Sequence, residues 1–259
     1  MENYRQLCFS TDSDGRLVPG SEMAAVKDFL TLCASADAGR IEAALAGGAS
    51  VSWRGADGET PLMAAARFNK DPRAAAVLLR AGADPDGQNT AGMTALMKAA
   101  KAGSALVADE LTEAGARVQA RDADGRTALM YAAAYSRSGE TLDVLLRSGA
   151  DPFSADRNGM TALMYAVKQS SPECRIVRLL LLAGSDPNAA DASGWTPLRL
   201  AAAYNASPEA AELLLGSGAK LPESEAETLL FTQALMQNSL MNDRKKTALA
   251  EKLFRPRRH

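Results

Sequence analysis

The sequence predicts a repeat solenoid, a row of similar units stacked in one direction, and three observations carry that prediction. A threonine phrase occurs five times, as Thr60-Pro61-Leu62-Met63, Thr94-Ala95-Leu96-Met97, Thr127-Ala128-Leu129-Met130, Thr161-Ala162-Leu163-Met164 and Thr196-Pro197-Leu198-Arg199, with successive threonines 34, 33, 34 and 35 residues apart. That period belongs to stacked repeat architectures. A glycine phrase, usually Gly-Ala-Asp or a close variant, recurs out of phase with it at Gly48, Gly82, Gly115, Gly149, Gly184 and Gly218. From each of the first five glycines to the next threonine the distance is 12 residues, whereas from threonine forward to glycine it runs from 21 to 23. One segment of the unit is therefore fixed in length, and all variation falls in the other.

Thr-Pro-Leu-x-x-Ala-Ala, an apolar stretch and Gly-Ala-Asp in register at this period resemble the ankyrin repeat, and the likeness covers roughly residues 25 to 222. The resemblance implies an all-α solenoid with short finger hairpins: about six units of finger, helix, turn and helix, followed by a closing helical pair. The residues explain each part. Thr60 and its counterparts suit the cap of a first helix, with Pro61 and Pro197 at the first helical position, where a missing amide hydrogen costs nothing. Asp71-Pro72-Arg73, Ser171-Pro172-Glu173 and Ser207-Pro208-Glu209 read as the start of a second helix, so the variable segment is the turn between helices. The phrase glycine is the left-handed stop of that helix. Gly58, Gly92, Gly125, Gly159 and Gly194 are then the turn glycines of the fixed fingers.

In chain order, residues 1–20 are expected to be poorly ordered. Residues 21–222 form the repeat domain, with units starting near 27, 60, 94, 127, 161 and 196. Lys27 to Ser50 reads as an amino-terminal cap with Cys33 in place of a core alanine, and Trp53 is expected to pack against the amino-terminal segment. Residues 223–259 form a carboxy-terminal helical cap, Ser224–Leu240 and Asn242–Phe254, with Leu229, Leu230, Leu235, Leu249 and Leu253 apolar and a solvated basic tail at Arg255, Arg257 and Arg258. Leu62, Leu96, Leu129, Leu163 and Leu198, and Leu78, Leu111, Leu145, Leu180 and Leu214, are the expected stacking columns. The family's usual histidine after Thr-Pro-Leu is replaced by Met63, Met97, Met130, Met164 and Arg199, so the hydrogen bonds that it lends to neighbouring loops must be absent.

Composition narrows the function. The hydrophobic content of 47% and charged content of 23% are those of a globular chain, and 29 basic against 31 acidic residues leave no field that would steer it to nucleic acid or membrane. No signal peptide or membrane span is legible, and the odd, separated Cys8, Cys33 and Cys174 fit free thiols. The expected location is the cytoplasm, with export as an effector left open. The one histidine, His259, stands at the far end, so no nucleophile has a base and no metal-ligand spacing exists. No catalytic, cofactor or metal site is expected.

The ten-residue windows opening at the five threonines hold Arg67, Lys98, Lys101, Lys168 and Arg199 without an Asp or Glu, together with Phe68, Tyr131, Tyr135, Tyr165 and Tyr204. Asp109, Glu110, Glu140, Asp143, Glu173, Glu209 and Glu212 gather on second helices instead. A basic, aromatic concave face and an acidic convex side are therefore expected. The residue before each threonine, Glu59, Met93, Arg126, Met160 or Trp195, changes from unit to unit, as a specificity position would. Aromatic and arginine side chains suit an interface centre. The function expected is a monomeric, non-catalytic interaction module that binds a protein or peptide, acidic ones included, through Phe68, Tyr131, Tyr135, Tyr165, Tyr204 and Trp195 with Arg67, Lys98, Lys101, Lys168, Arg126, Met93 and Met160. The alternatives are a nucleic-acid-binding protein, disfavoured by net charge, or the regulatory subunit of an enzyme.

Overall fold

The computed structural model describes residues 21–69, 71–169, 174–204, 208–222, 224–238 and 241–254, with the backbone alone given for 21–26, 225–227 and 252–254. The expectations for residues 1–20, for Ser171, Pro172, Glu173 and Ser207, and for the basic tail lie outside that set. Among the described residues the chain folds into fourteen helices in antiparallel pairs. The pairs are α1 (Ser21–Ser35) with α2 (Ala38–Ala46), α3 (Pro61–Phe68) with α4 (Pro72–Arg80), α5 (Ala95–Ala102) with α6 (Ala105–Glu113), and α7 (Ala128–Tyr135) with α8 (Glu140–Arg147). They continue as α9 (Ala162–Lys168) with α10 (Arg175–Leu182), α11 (Pro197–Tyr204) with α12 (Glu209–Gly216), and α13 (Glu225–Gln237) with α14 (Asp243–Phe254). The architecture is an all-α repeat solenoid, with a single isolated bridge between Ala155 and Thr161.

The phrases act at the helix ends. The hydroxyls of Thr60, Thr94, Thr161 and Thr196 accept from the amides of Met63, Met97, Met164 and Arg199 at 3.2 to 3.4 Å. Thr127 departs from the expectation: its backbone is extended in the same way but its side chain makes no cap bond. Asp71 caps α4 through the Arg73 amide at 3.0 Å. At the other end of α4, Gly82 at φ +87° closes the helix, its amide bonding to Leu79 O and that of Ala83 to Leu78 O. A residue with a Cβ rarely adopts that left-handed conformation.

The fingers are closed by one side chain each. Asn89, Asp122, Asp156 and Asp191 accept through Oδ1 from the amides two and four residues on, at 2.8 to 3.1 Å. These bonds hold the fingers without the missing histidines. Each finger then bonds to the one before it through a single backbone contact: Thr90 N to Asp57 O, Ala123 N to Ala91 O, Arg157 N to Asp124 O, and Ala192 N to Asn158 O, all at 2.9 to 3.0 Å.

Both leucine columns lie in the core. At about 25 cal/mol per Å² of apolar surface, each such leucine contributes roughly 1.5 to 3 kcal/mol. Buried alanine pairs, among them Ala65-Ala66, Ala99-Ala100 and Ala132-Ala133, leave little bulk between first helices. At every junction successive first helices accordingly pack more extensively than successive second helices. Cys33 is a core residue, and Trp53 meets Phe29 of α1 edge-on at 5.9 Å. In the closing pair, Phe231, Leu235 and Leu249 are buried and Leu229 and Leu230 are exposed, while the side chain of Leu253 lies outside the described residues. No described helix is long and apolar enough to cross a membrane.

Candidate partner-binding face

The expected face divides into an exposed strip and the residues beneath it. At the last positions of the first helices, Phe68, Tyr135 and Tyr204 are 55, 52 and 43% exposed. Beside them Arg67, Lys101 and Lys168 are exposed as well. These groups do not stand independently. Lys101 Nζ lies 5.0 Å from the ring centroid of Tyr135 and 5.9 Å from that of Tyr131, both in the following unit. Lys168 lies 5.4 Å from Tyr204, again one unit on, and Arg67 lies 4.5 Å from its neighbour Phe68. A cation over an aromatic face is held by the ring quadrupole. Among the described residues, Arg67, Lys101 and Lys168 have no carboxylate partner.

Four expected contact residues are buried and correct the sequence reading. Lys98 sits in the core with its Nζ 3.1 Å from a Glu59 carboxylate oxygen, so its charge is spent inside the protein. Met93 and Met160 pack beneath the fingers. Tyr131 is 6% exposed because its hydroxyl reaches back to Asp122 Oδ2 at 2.6 Å. Its ring still stacks on Tyr135, with centroids 6.2 Å apart and planes 19° from parallel. Burial first, and then the bond to Asp122, push its hydroxyl up to about 12.

Tyr165 repeats this arrangement one unit later, half-buried, donating to Asp156 Oδ2 at 2.7 Å and likewise pushed up to about 12 by burial and then by Asp156. Its hydroxyl also accepts from Arg126 Nε at 3.0 Å, and Arg126 pairs with Asp124 at 3.3 Å. Trp195, half-buried, carries the Arg199 guanidinium 4.0 Å above its ring. Between α7 and α9 these contacts frame a shallow hollow of about 300 Å³ lined by Arg126, Tyr131, Tyr135, Tyr165 and Lys168. The fixed position before each threonine thus has mixed roles: buried methionines in two units, an internal ion pair at Glu59, and partial exposure at Arg126 and Trp195.

The convex expectation also changes. Glu140, Asp143 and Glu212 are exposed on second helices, but so are Arg73, Arg80, Arg147, Arg175 and Arg178, and Arg147 pairs with Asp143 and Arg178 with Glu209. That side is mixed in charge. Among the described residues no group of three or more His, Cys, Asp or Glu could hold a metal ion.

The sequence reading missed the Asp–Tyr bonds, although a signal was present. Asp122 and Tyr131, and Asp156 and Tyr165, are nine residues apart in the same phase of two units, while the equivalent position is Lys98 after Asn89 and Leu200 after Asp191.

Among the described residues the fold is that of a helical repeat protein, with exposed rings and cations at the ends of its first helices. The family model described as ankyrin repeats matches residues 30–122, 62–156 and 129–225, and the chain belongs to the ankyrin-repeat family. Its members are generally protein–protein interaction modules and typically non-catalytic. Comparison with curated proteins finds no match.

Proposed function

We propose that the chain is a non-catalytic adaptor, inhibitor or effector that grips a protein or peptide, acidic ones included, on the strip Arg67–Phe68, Lys101–Tyr135 and Lys168–Tyr204. One observation carries this reading: the cations of the strip lie over aromatic rings, two of them bridging adjacent units, and have no acidic partner among the described residues. A face that had only to be soluble would not need aromatic rings exposed beneath its lysines. Exposed rings with few rotors suit an interface centre, where each contributes about 1 to 2 kcal/mol or more. The cations supply attraction for acidic segments and speed encounter. In this reading the chain acts as a monomer in the cytoplasm, and Tyr131, Tyr165 and Arg126 stiffen the strip from below.

The test is affinity capture from native lysate, comparing the wild type with a Phe68→Ser, Tyr135→Ser, Tyr204→Ser variant whose fold is verified by circular dichroism. A partner held by the wild type and lost by the variant supports the strip. Equal capture by both proteins overturns it.

A further inference from the structure

We propose a second binding site, a pocket at the carboxy-terminal end of the repeats that takes an acidic side chain of a peptide flanked by apolar residues, with Arg199 as its anion-holding group. The site lies between α11 and α13 and borders the last ring of the strip, the Trp195 and Tyr204 ring centroids being 6.0 Å apart, but it shares no residue with the strip and stands whether or not the strip binds anything.

The sequence position is the first sign. In the other four units the fourth residue of the threonine phrase is Met63, Met97, Met130 or Met164, each fully or almost fully buried. The fifth unit places Arg199 there, at the junction where the next element is no longer a finger and helix of the same kind but α13. A methionine would satisfy the core. The arginine brings a charged, planar fork of donors and no acceptor.

Its surroundings are the second sign. The guanidinium lies over the Trp195 ring, 4.0 Å from its centroid. It has no side-chain hydrogen bond and no ion pair among the described residues, and its Nε is buried without an acceptor. An unmet buried donor destabilises a fold, and the more so when it is charged. Stacking supplies the group with no acceptor, and a carboxylate entering the cleft would give the half-exposed guanidinium one.

The third sign is space. A cleft of about 580 Å³ opens against Arg199, lined by Thr196, Lys220, Leu221, Leu230 and Phe231. Lys220, exposed and without an ion pair, adds a second positive charge to the wall. Leu221, Leu230 and Phe231 offer an apolar wall that a bare inorganic anion would leave unused. A glutamate or aspartate with an apolar neighbour matches both halves: its carboxylate meets the fork, and the neighbouring side chain covers the leucines.

The experiment titrates the full chain against Leu-Glu-Leu-Leu-amide carrying fluorescein on its amino terminus through a β-alanine spacer, followed by anisotropy. Saturable binding is expected, weakened roughly tenfold or more by Arg199→Met and by glutamine in place of the peptide's glutamate, as loss of a charged hydrogen bond requires. Arg199→Met restores the residue of the other units and is expected to melt at the same or a higher temperature. Tyr135→Ser is expected to leave this binding unchanged, so the pocket and the strip fail separately. The proposal is overturned if the wild type does not bind, if the glutamine peptide or Arg199→Met binds as well as the original pair, or if Arg199→Met melts markedly lower.

Discussion

The hydroxyl of Tyr131 donates to Oδ2 of Asp122 at 2.6 Å, while Oδ1 of the same carboxylate accepts from the amides of Asp124 and Arg126. One carboxylate therefore closes a finger and ties it to the helix behind it. Tyr131→Phe leaves Oδ2 buried and unmatched, and the expected loss is about 1 to 2 kcal/mol in urea denaturation. Tyr135→Phe, at an exposed ring one turn on, is expected to change stability by less than about 0.5 kcal/mol.

Alkaline pH tests the same bonds in both units that carry them. Tyr131 and Tyr165 ionise near 10.0 when unfolded and are pushed up to about 12 in the folded chain, by burial first and by Asp122 and Asp156 next. Between those values the unfolded state has released protons that the folded state retains, so stability is intact below pH 10 and falls as pH rises toward 12. Absorbance at 295 nm should show these two of the five tyrosines ionising late, together with loss of the fold.

The Glu59–Lys98 pair joins two adjacent units in the core. Lys98→Met alone strands a buried carboxylate and should cost about 3 kcal/mol, whereas Glu59→Met with Lys98→Met should recover most of that loss. A double-mutant cycle in chemical denaturation reads the difference. A coupling near zero would mean that the pair contributes nothing to the junction.

Two glycines with the same backbone angle should respond differently to alanine. Gly92 and Gly194 both have φ +73°, but a Cβ on Gly92 would come 2.7 Å from Ala123 N of the next finger, whereas one on Gly194 meets nothing within 4 Å. Gly194→Ala should cost only the conformational strain, about 1 kcal/mol. Gly92→Ala should lower the melting temperature by clearly more, since the next finger has to move.

Much of this architecture was legible because repetition turns a weak signal into a strong one. One Thr-Ala-Leu-Met or Thr-Pro-Leu is a poor helix start, but five such phrases in register with glycine stops fix both helix ends, and the leucine columns follow from the same phase. The face was legible only in composition. Lys98 and Tyr131 occupy the same position of successive units and looked like contact residues, yet what each does depends on a partner in a finger, Glu59 for one and Asp122 for the other. Burial of a polar side chain is decided by that partner, which periodicity does not name. Which of the closing leucines face inward was not legible for a related reason: the closing pair lacks the repeat phrase that sets the phase of the other units.

The backbone bonds between fingers all point the same way, from the amide of the later finger to the carbonyl of the earlier one. The row thus has a head and a tail, and the backbone part of each of these joints is the same, while the side-chain pairs across it differ. A tandem duplication of residues 94–126 would add one more joint with the same backbone bond, but the second copy of Lys98 would face Met93 where the first faces Glu59 and would need replacing by methionine. Reach is then a quantity that gene duplication can lengthen or shorten in whole rungs, while the chemistry written on each rung drifts on its own.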